Sequence, residues 1–166
     1  MTLFWVVAAL TFAVDRIAKL AAQAALALGG RVVLWPAVLE LRLTRNTGIA
    51  LGFFSGVPLV ITVLPLLAMV IGWLLLRRYR ATRFVLAAAA LVTGGFLGNF
   101  ADRLWYGYVL DMIYFPWMPW YICNAADIAI TAGVALLAVS LLLRPNDWTL
   151  KTEGKPHGPN NADRTA

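Results

Sequence analysis

One cysteine and one histidine are too few for most catalytic centres. Cys123 has no partner for an internal disulfide, and His157 stands in a polar C-terminal stretch. A zinc-type Cys/His cluster is therefore absent, and a Cys–His nucleophilic pair has no histidine among the apolar segments. Cys123 reads as a small packing residue. Charge is also scarce: 13% of the residues, with only 8 acids against 14 Lys and Arg. No internal repeat is visible, which argues against the paired halves common in transporters. No metal ligand set and no cofactor motif emerge, so none is expected.

Apolar sequence fills the space instead. The 166 residues are 61% hydrophobic, well above the usual share for a soluble domain. Four stretches carry it: Leu3 to about Leu28, Val57 to Leu76, Phe84 to Ala101, and Tyr121 to Leu143. Each is close to the ~20 residues that cross a bilayer core of ~30 Å. The fold class expected is membrane α-helical, with four transmembrane helices in one domain, residues 1–144. The first stretch has no basic start and runs into "DRIAK" rather than a cleavage site, so it reads as a retained helix.

The net charge of +6 is unevenly spread. "RRYRATR", residues 77–83, holds four arginines, and the stretch after Leu143 holds Arg144, Lys151, Lys155 and Arg164. Short basic loops stay in the cytoplasm, so both segments and the N-terminus are assigned there. The basic excess reads as a topology signal and a contact with anionic lipid, with no nucleic acid expected. Residues 145–166, rich in Pro, Gly and Asn, read as a disordered cytoplasmic tail that the activity does not need.

Two loops face the other side. In the first, "LELRLTR" alternates apolar and polar residues, a strand signal, and "NTG" follows as a turn. "IALGFF" is a candidate return strand, giving a small extracytoplasmic β-sheet cradle. The second loop, Leu104 to Trp120, is rich in Trp and Tyr and is placed on the membrane surface.

Polar residues inside apolar helices need a reason. At 1.5 Å per residue, Asp15 lies ~18 Å and Asp127 ~24 Å from the inner face. Lys19, Asn99 and Asp102 fall in the same outer half. Asp15 and Lys19 share a helix face, as do Asn99, Asp102 and Arg103, and Asn124 precedes Asp127 by one turn. Ion pairs within the bundle, Asp15 with Lys19 and Asp102 with Arg103, are one reading of these groups. That reading leaves Asp111 and Asp127 unexplained, because neither has a neighbouring cation. Two carboxylates at one water-accessible site can share a proton and hydrolyse an amide.

These motifs, in order, resemble lipoprotein signal peptidase (signal peptidase II). The blocks are "DRIAK", "NTGIALGFF", "GGFLGNFADR", "VLDMI" and "CNAADIAI". The resemblance implies a membrane aspartic endopeptidase that removes the signal peptide of prolipoproteins just before a diacylglyceryl-modified cysteine. It implies Asp111 and Asp127 as the catalytic pair. It implies Asn46, Gly48, Asn99, Arg103 and Asn124 at the binding site for substrate or the inhibitor globomycin. Asp15, Lys19 and Asp102 are implied as supporting residues. The expected setting is the bacterial inner membrane, multi-pass, with the site near the outer face, lipid around it, and a single chain acting alone. This sequence departs from the family pattern at Arg16 (usually Gln), Cys123 (usually Phe) and Met112 (often Phe); the last two are expected in the pocket wall. The alternatives are a small proton-coupled transporter, suggested by the intramembrane carboxylates, and a non-catalytic anchor protein.

Overall fold

Small residues decide how the helices meet. In the computed structural model, which describes residues 1–48 and 58–151 (side chains in the second helix from residue 62), α1 spans Thr2–Ala25 and α3 spans Arg83–Tyr106. α2 spans Pro58–Leu76 and α4 spans Ala125–Leu143. α3 packs between α1 and α4, and α2 lies more loosely against it. A methyl group at Gly94 would meet Ala8 O at 2.5 Å, and one at Gly95 would meet Ala126 O at the same distance. α3 therefore approaches one neighbour on each side through adjacent glycines, as membrane helices often do.

The burial pattern is inverted relative to a water-soluble bundle. Asp15, Lys19 and Asp102 are 0% exposed, whereas Leu142 is 77% exposed. Ile17 and Leu20 on α1, and Leu67 and Ile71 on α2, also face outward. Water would drive the opposite arrangement. Among the described residues, α3 and α4 are long and apolar enough to cross a membrane, and residues Thr62–Leu76 of α2 form a shorter apolar helix. α1 carries Asp15, Arg16 and Lys19 close together, which lowers its apolar character.

Four strands form an antiparallel sheet in the order β1-β2-β4-β5: Arg31–Trp35, Leu39–Asn46, Val109–Tyr114 and Ile122–Cys123. The alternating run predicted as a strand is β2, and it extends to Asn46. Its partners are β1 and β4; the candidate return strand from Ile49 lies outside the described residues. β2 carries one extra residue between Leu41 and Thr44, opposite Met112, so the ladder is re-aimed beside Asp111.

The expected aromatic loop is mostly something else. Leu104–Tyr106 finishes α3, Gly107 ends that helix with φ 76°, and 109–114 is β4. Only the segment from Phe115 to Tyr121 remains a loop between strands, and its Trp117 and Trp120 are 63% and 69% exposed. Strand β4 was hidden because its own sequence, VLDMIY, does not alternate; it is buried on both faces.

The tail also begins later than the composition suggests. Pro145–Asp147 forms a 3-10 turn, and β6, Trp148–Leu150, pairs with β3, Tyr79–Ala81. Ser140 Oγ donates to Asp147 Oδ2 at 2.8 Å, so order continues to Lys151. The remainder of the tail lies outside the described residues.

Candidate active site

Asn124 is where the site is assembled. It is the N-cap of α4, and Asp127 is the third residue of that helix. Asn124 Oδ1 accepts from the Asp127 backbone N–H at 2.9 Å, and Asp127 Oδ2 accepts from the Asn124 N–H at 3.3 Å. This reciprocal capping box fixes the Asp127 side chain relative to the helix start. The other end of the Asn124 amide turns to β4, donating to Asp111 Oδ1 at 2.6 Å and to Asn99 Oδ1 at 3.1 Å. Asn99 in turn donates to Asp127 Oδ1 at 2.8 Å. Two carboxylates from different elements are thus linked in a chain through Asn124 and Asn99.

Asn46 closes the third side. Its Oδ1 accepts from the Gly48 N–H at 2.9 Å, forming a side-chain turn, and this aims its Nδ2 at Asp111 Oδ2, also 2.9 Å away. One donor of the Asn46 amide is therefore held by Asp111.

Behind the pair lies a buried charge network. Lys19 Nζ sits 2.8 Å from Asp15 Oδ2 and 2.8 Å from Asp102 Oδ2, and donates to Asn99 Oδ1 at 2.9 Å. Each supporting carboxylate then holds a backbone N–H. Asp15 Oδ1 accepts from Ala126 at 3.0 Å, and Asp102 Oδ2 accepts from Leu110 at 3.2 Å. Ala126 precedes Asp127, and Leu110 precedes Asp111. One lysine on α1 therefore bridges two acids that each anchor the residue before a site aspartate.

The expected pairing of Asp102 with Arg103 is replaced. Adjacent residues on a helix do not face each other. Asp102 pairs with Lys19 and with Arg16, whose guanidinium also lies 5.6 Å over the Trp105 ring. Arg103 reaches the other way, donating from Nη2 to Gly48 O at 3.1 Å, and its buried Nε has no acceptor among the described residues. Arg16 is the network member that residue spacing missed. An arginine in an apolar helix was the available signal, since such a charge needs a partner.

The remaining departures from the family pattern also find their places. Met112 is buried with Ala22, Leu26, Leu43 and Leu110, in the core beneath the sheet rather than in a pocket wall. Cys123 is buried on β5, opposite Ile113. Burial, then the charges of Asp127 and Asp111, push its thiol up to about 12, so it carries no thiolate at neutral pH. Asp111 is 2% exposed, and burial, followed by the Asp127 charge, raises its carboxyl to about 7. A carboxyl there takes up and releases a proton near neutrality, which suits general acid–base work.

Residues 7–143 match the family described as signal peptidase (SPase) II. The chain belongs to the signal peptidase II family. The lipoprotein signal peptidase of Gloeobacter violaceus is 32% identical over 163 residues, covering 94% of this chain and 86% of that protein. That of Coxiella burnetii is 35% identical over 150 residues, covering 82% and 88%. A solved bacterial membrane enzyme is 28% identical, with a TM-score of 0.71, covering 95% of this chain and 93% of its own. As a signal peptidase II, the chain is a peptidase that removes signal peptides from prolipoproteins. The transporter alternative is not favoured.

Proposed function

We propose that catalysis is of the aspartic type, with Asp111 and Asp127 as the pair, and that the cut falls just before the diacylglyceryl-modified cysteine. The observation that carries this reading is the shared Asn124, which bonds Asp111 through its side chain and Asp127 through its backbone N–H. The ionised carboxylate of the pair takes a proton from water as the water oxygen bonds the scissile carbonyl carbon. The protonated carboxyl gives its proton to the carbonyl oxygen, forming a neutral tetrahedral diol. The C–N bond then breaks as the nitrogen takes a proton from one carboxyl and a diol hydroxyl gives its proton to the other carboxylate, so a carboxylic acid and an amine leave and the pair again holds one proton.

Asn99 and Asn46 hold the carboxylates at fixed angles, and the Lys19 network keeps their elements in place. Arg103 Nε, without an acceptor among the described residues, is suited to a substrate carbonyl near Gly48. Globomycin-type inhibitors would meet these same groups.

The inverted burial supports four spans in the bacterial inner membrane, with both termini cytoplasmic and the sheet outside as a cradle. Exposed Trp117, Trp120 and Trp105 would lie at the headgroup level, and the chain would act as a monomer surrounded by lipid. Purified protein in detergent, given a precursor peptide with and without its diacylglyceryl group, tests the reading. Cleavage of the lipidated form alone is expected. Equal cleavage of both would remove lipid recognition from the account.

A further inference from the structure

A cavity of about 580 Å³ opens between α2, α3 and α4. It is lined by Phe4 of α1, by Ala89 to Phe96 of α3 and by Ile130 to Leu141 of α4, so one end lies about one helical turn from Asn99 and Asp127 and the other lies at Tyr79 and Trp148. Met69, Trp73, Phe96, Ile130 and Leu141 make its walls. From Ile130 to Leu141 it runs ~16 Å along α4 at 1.5 Å per residue. That is about half of a ~30 Å hydrocarbon core, the depth of one leaflet.

One end of this groove is closed by aromatic residues beside a run of arginines. Tyr79 and Trp148, from the paired strands β3 and β6, meet edge to face at 5.5 Å and line it. Trp148 Nε1 is buried and has no acceptor among the described residues. A buried N–H in that state calls for an oxygen. Arg77, Arg78, Arg80 and Arg83 flank this end in sequence, are exposed, and pair with no carboxylate among the described residues. Arg144 is committed to Asp147.

We propose that this groove binds an anionic glycerophospholipid of the inner leaflet. An acyl chain lies along α4, an ester or phosphate oxygen accepts from Trp148 Nε1, and the phosphate faces the arginines of 77–83. The proposal rests on the helices spanning the membrane, but not on the catalytic pair. Charge selects this occupant. The chain beyond Lys151 has no large apolar residue to fill the groove. A signal peptide would bring a positive start to a run of arginines.

Native mass spectrometry of the full chain in mild detergent tests this, using phosphatidylglycerol and phosphatidylcholine with identical acyl chains. Phosphatidylglycerol should be retained about tenfold better, because it carries a net negative charge that arginines near a lipid headgroup attract, whereas phosphatidylcholine carries none. Arg77→Gln with Arg78→Gln and Arg80→Gln should erase that preference. Trp148→Phe should lower phosphatidylglycerol retention while keeping the ring. Gly72→Leu should lower retention of both lipids; Gly72 lines the groove, and a Cβ there meets nothing within 4 Å, so the bundle tolerates it. Equal retention of both lipids by the unaltered chain would overturn the proposal. So would displacement by precursor peptide, or full retention in both Trp148→Phe and Gly72→Leu. Cleavage assayed on the same samples keeps the two questions apart: an active enzyme without lipid preference defeats this inference alone.

Discussion

The side-chain amide of Asn124 lies 2.6 Å from Asp111 Oδ1, while the same residue caps the helix that carries Asp127. Capping and bridging are separable by substitution. Asn124→Ser keeps an oxygen able to cap α4 but is too short to reach Asp111. It should lose about 10²-fold in cleavage and about 1–3 kcal/mol of stability for the buried acceptors left unpaired. Asn124→Ala should lose the cap as well, about 1 kcal/mol further. Thermal unfolding in detergent beside a cleavage assay reads both. Normal cleavage by Asn124→Ser would mean the bridge is dispensable.

Burial of Asp111 predicts a pH-dependent stability. Its folded carboxyl, raised from 3.8 to about 7, binds its proton more tightly than the unfolded chain does. Stability from this group is complete below about pH 4 and is lost as pH rises through 7. Asp111→Asn lacks that loss. Its advantage over the unaltered protein should grow between pH 5 and 8, to about 4 kcal/mol at most. Unfolding midpoints measured across that range check the sign; a constant gap would mean Asp111 is ionised throughout.

Much of this was legible in the sequence, because the polar residues are few and each must be paid for in an apolar setting. Asp15, Lys19, Asn99, Asp102, Asn124 and Asp127 stand on helices whose period shows which side chains share a face. Asp111 was recognisable as an unpaired acid, but its strand was not, since a strand buried on both faces loses its alternation. The Asp102–Arg103 pairing failed because sequence proximity is not facing geometry. The contacts of Asp15 to Ala126 and of Asp102 to Leu110 join elements 111 and 8 residues apart. Backbone donors leave no mark in a sequence.

Arg16 adds a second cation to the buried network at Asp102, on the more exposed side, since the Arg16 side chain is 14% exposed. Lys19 remains when Arg16 is replaced. Arg16→Gln should therefore destabilise by about 1 kcal/mol, with cleavage within a few-fold of normal. Lys19→Met removes the only cation shared by both acids and should cost about 3–5 kcal/mol. Denaturation of the two variants side by side checks the order; equal losses would contradict it.

The tail has a structural boundary. Truncation after Lys151 should leave stability and cleavage unchanged. Truncation after Asn146 removes Asp147 and β6, stranding the fully buried Ser140 hydroxyl, and should cost about 1–3 kcal/mol. Unfolding midpoints of the two truncations, measured in one detergent, decide whether the ordered segment matters.

The central claim is that Asp111 and Asp127 act as one unit on water and the scissile carbonyl. Asp111→Asn and Asp127→Asn keep size and most hydrogen bonds while removing an ionisable group. Turnover of a lipidated precursor by each single variant and by the double variant, with precursor binding measured on the same preparations, tests it most directly. The account predicts that each single change abolishes cleavage with binding retained, and that the double variant is hardly worse than either, because groups acting as a unit are not additive. Near-normal cleavage by either single variant would contradict it.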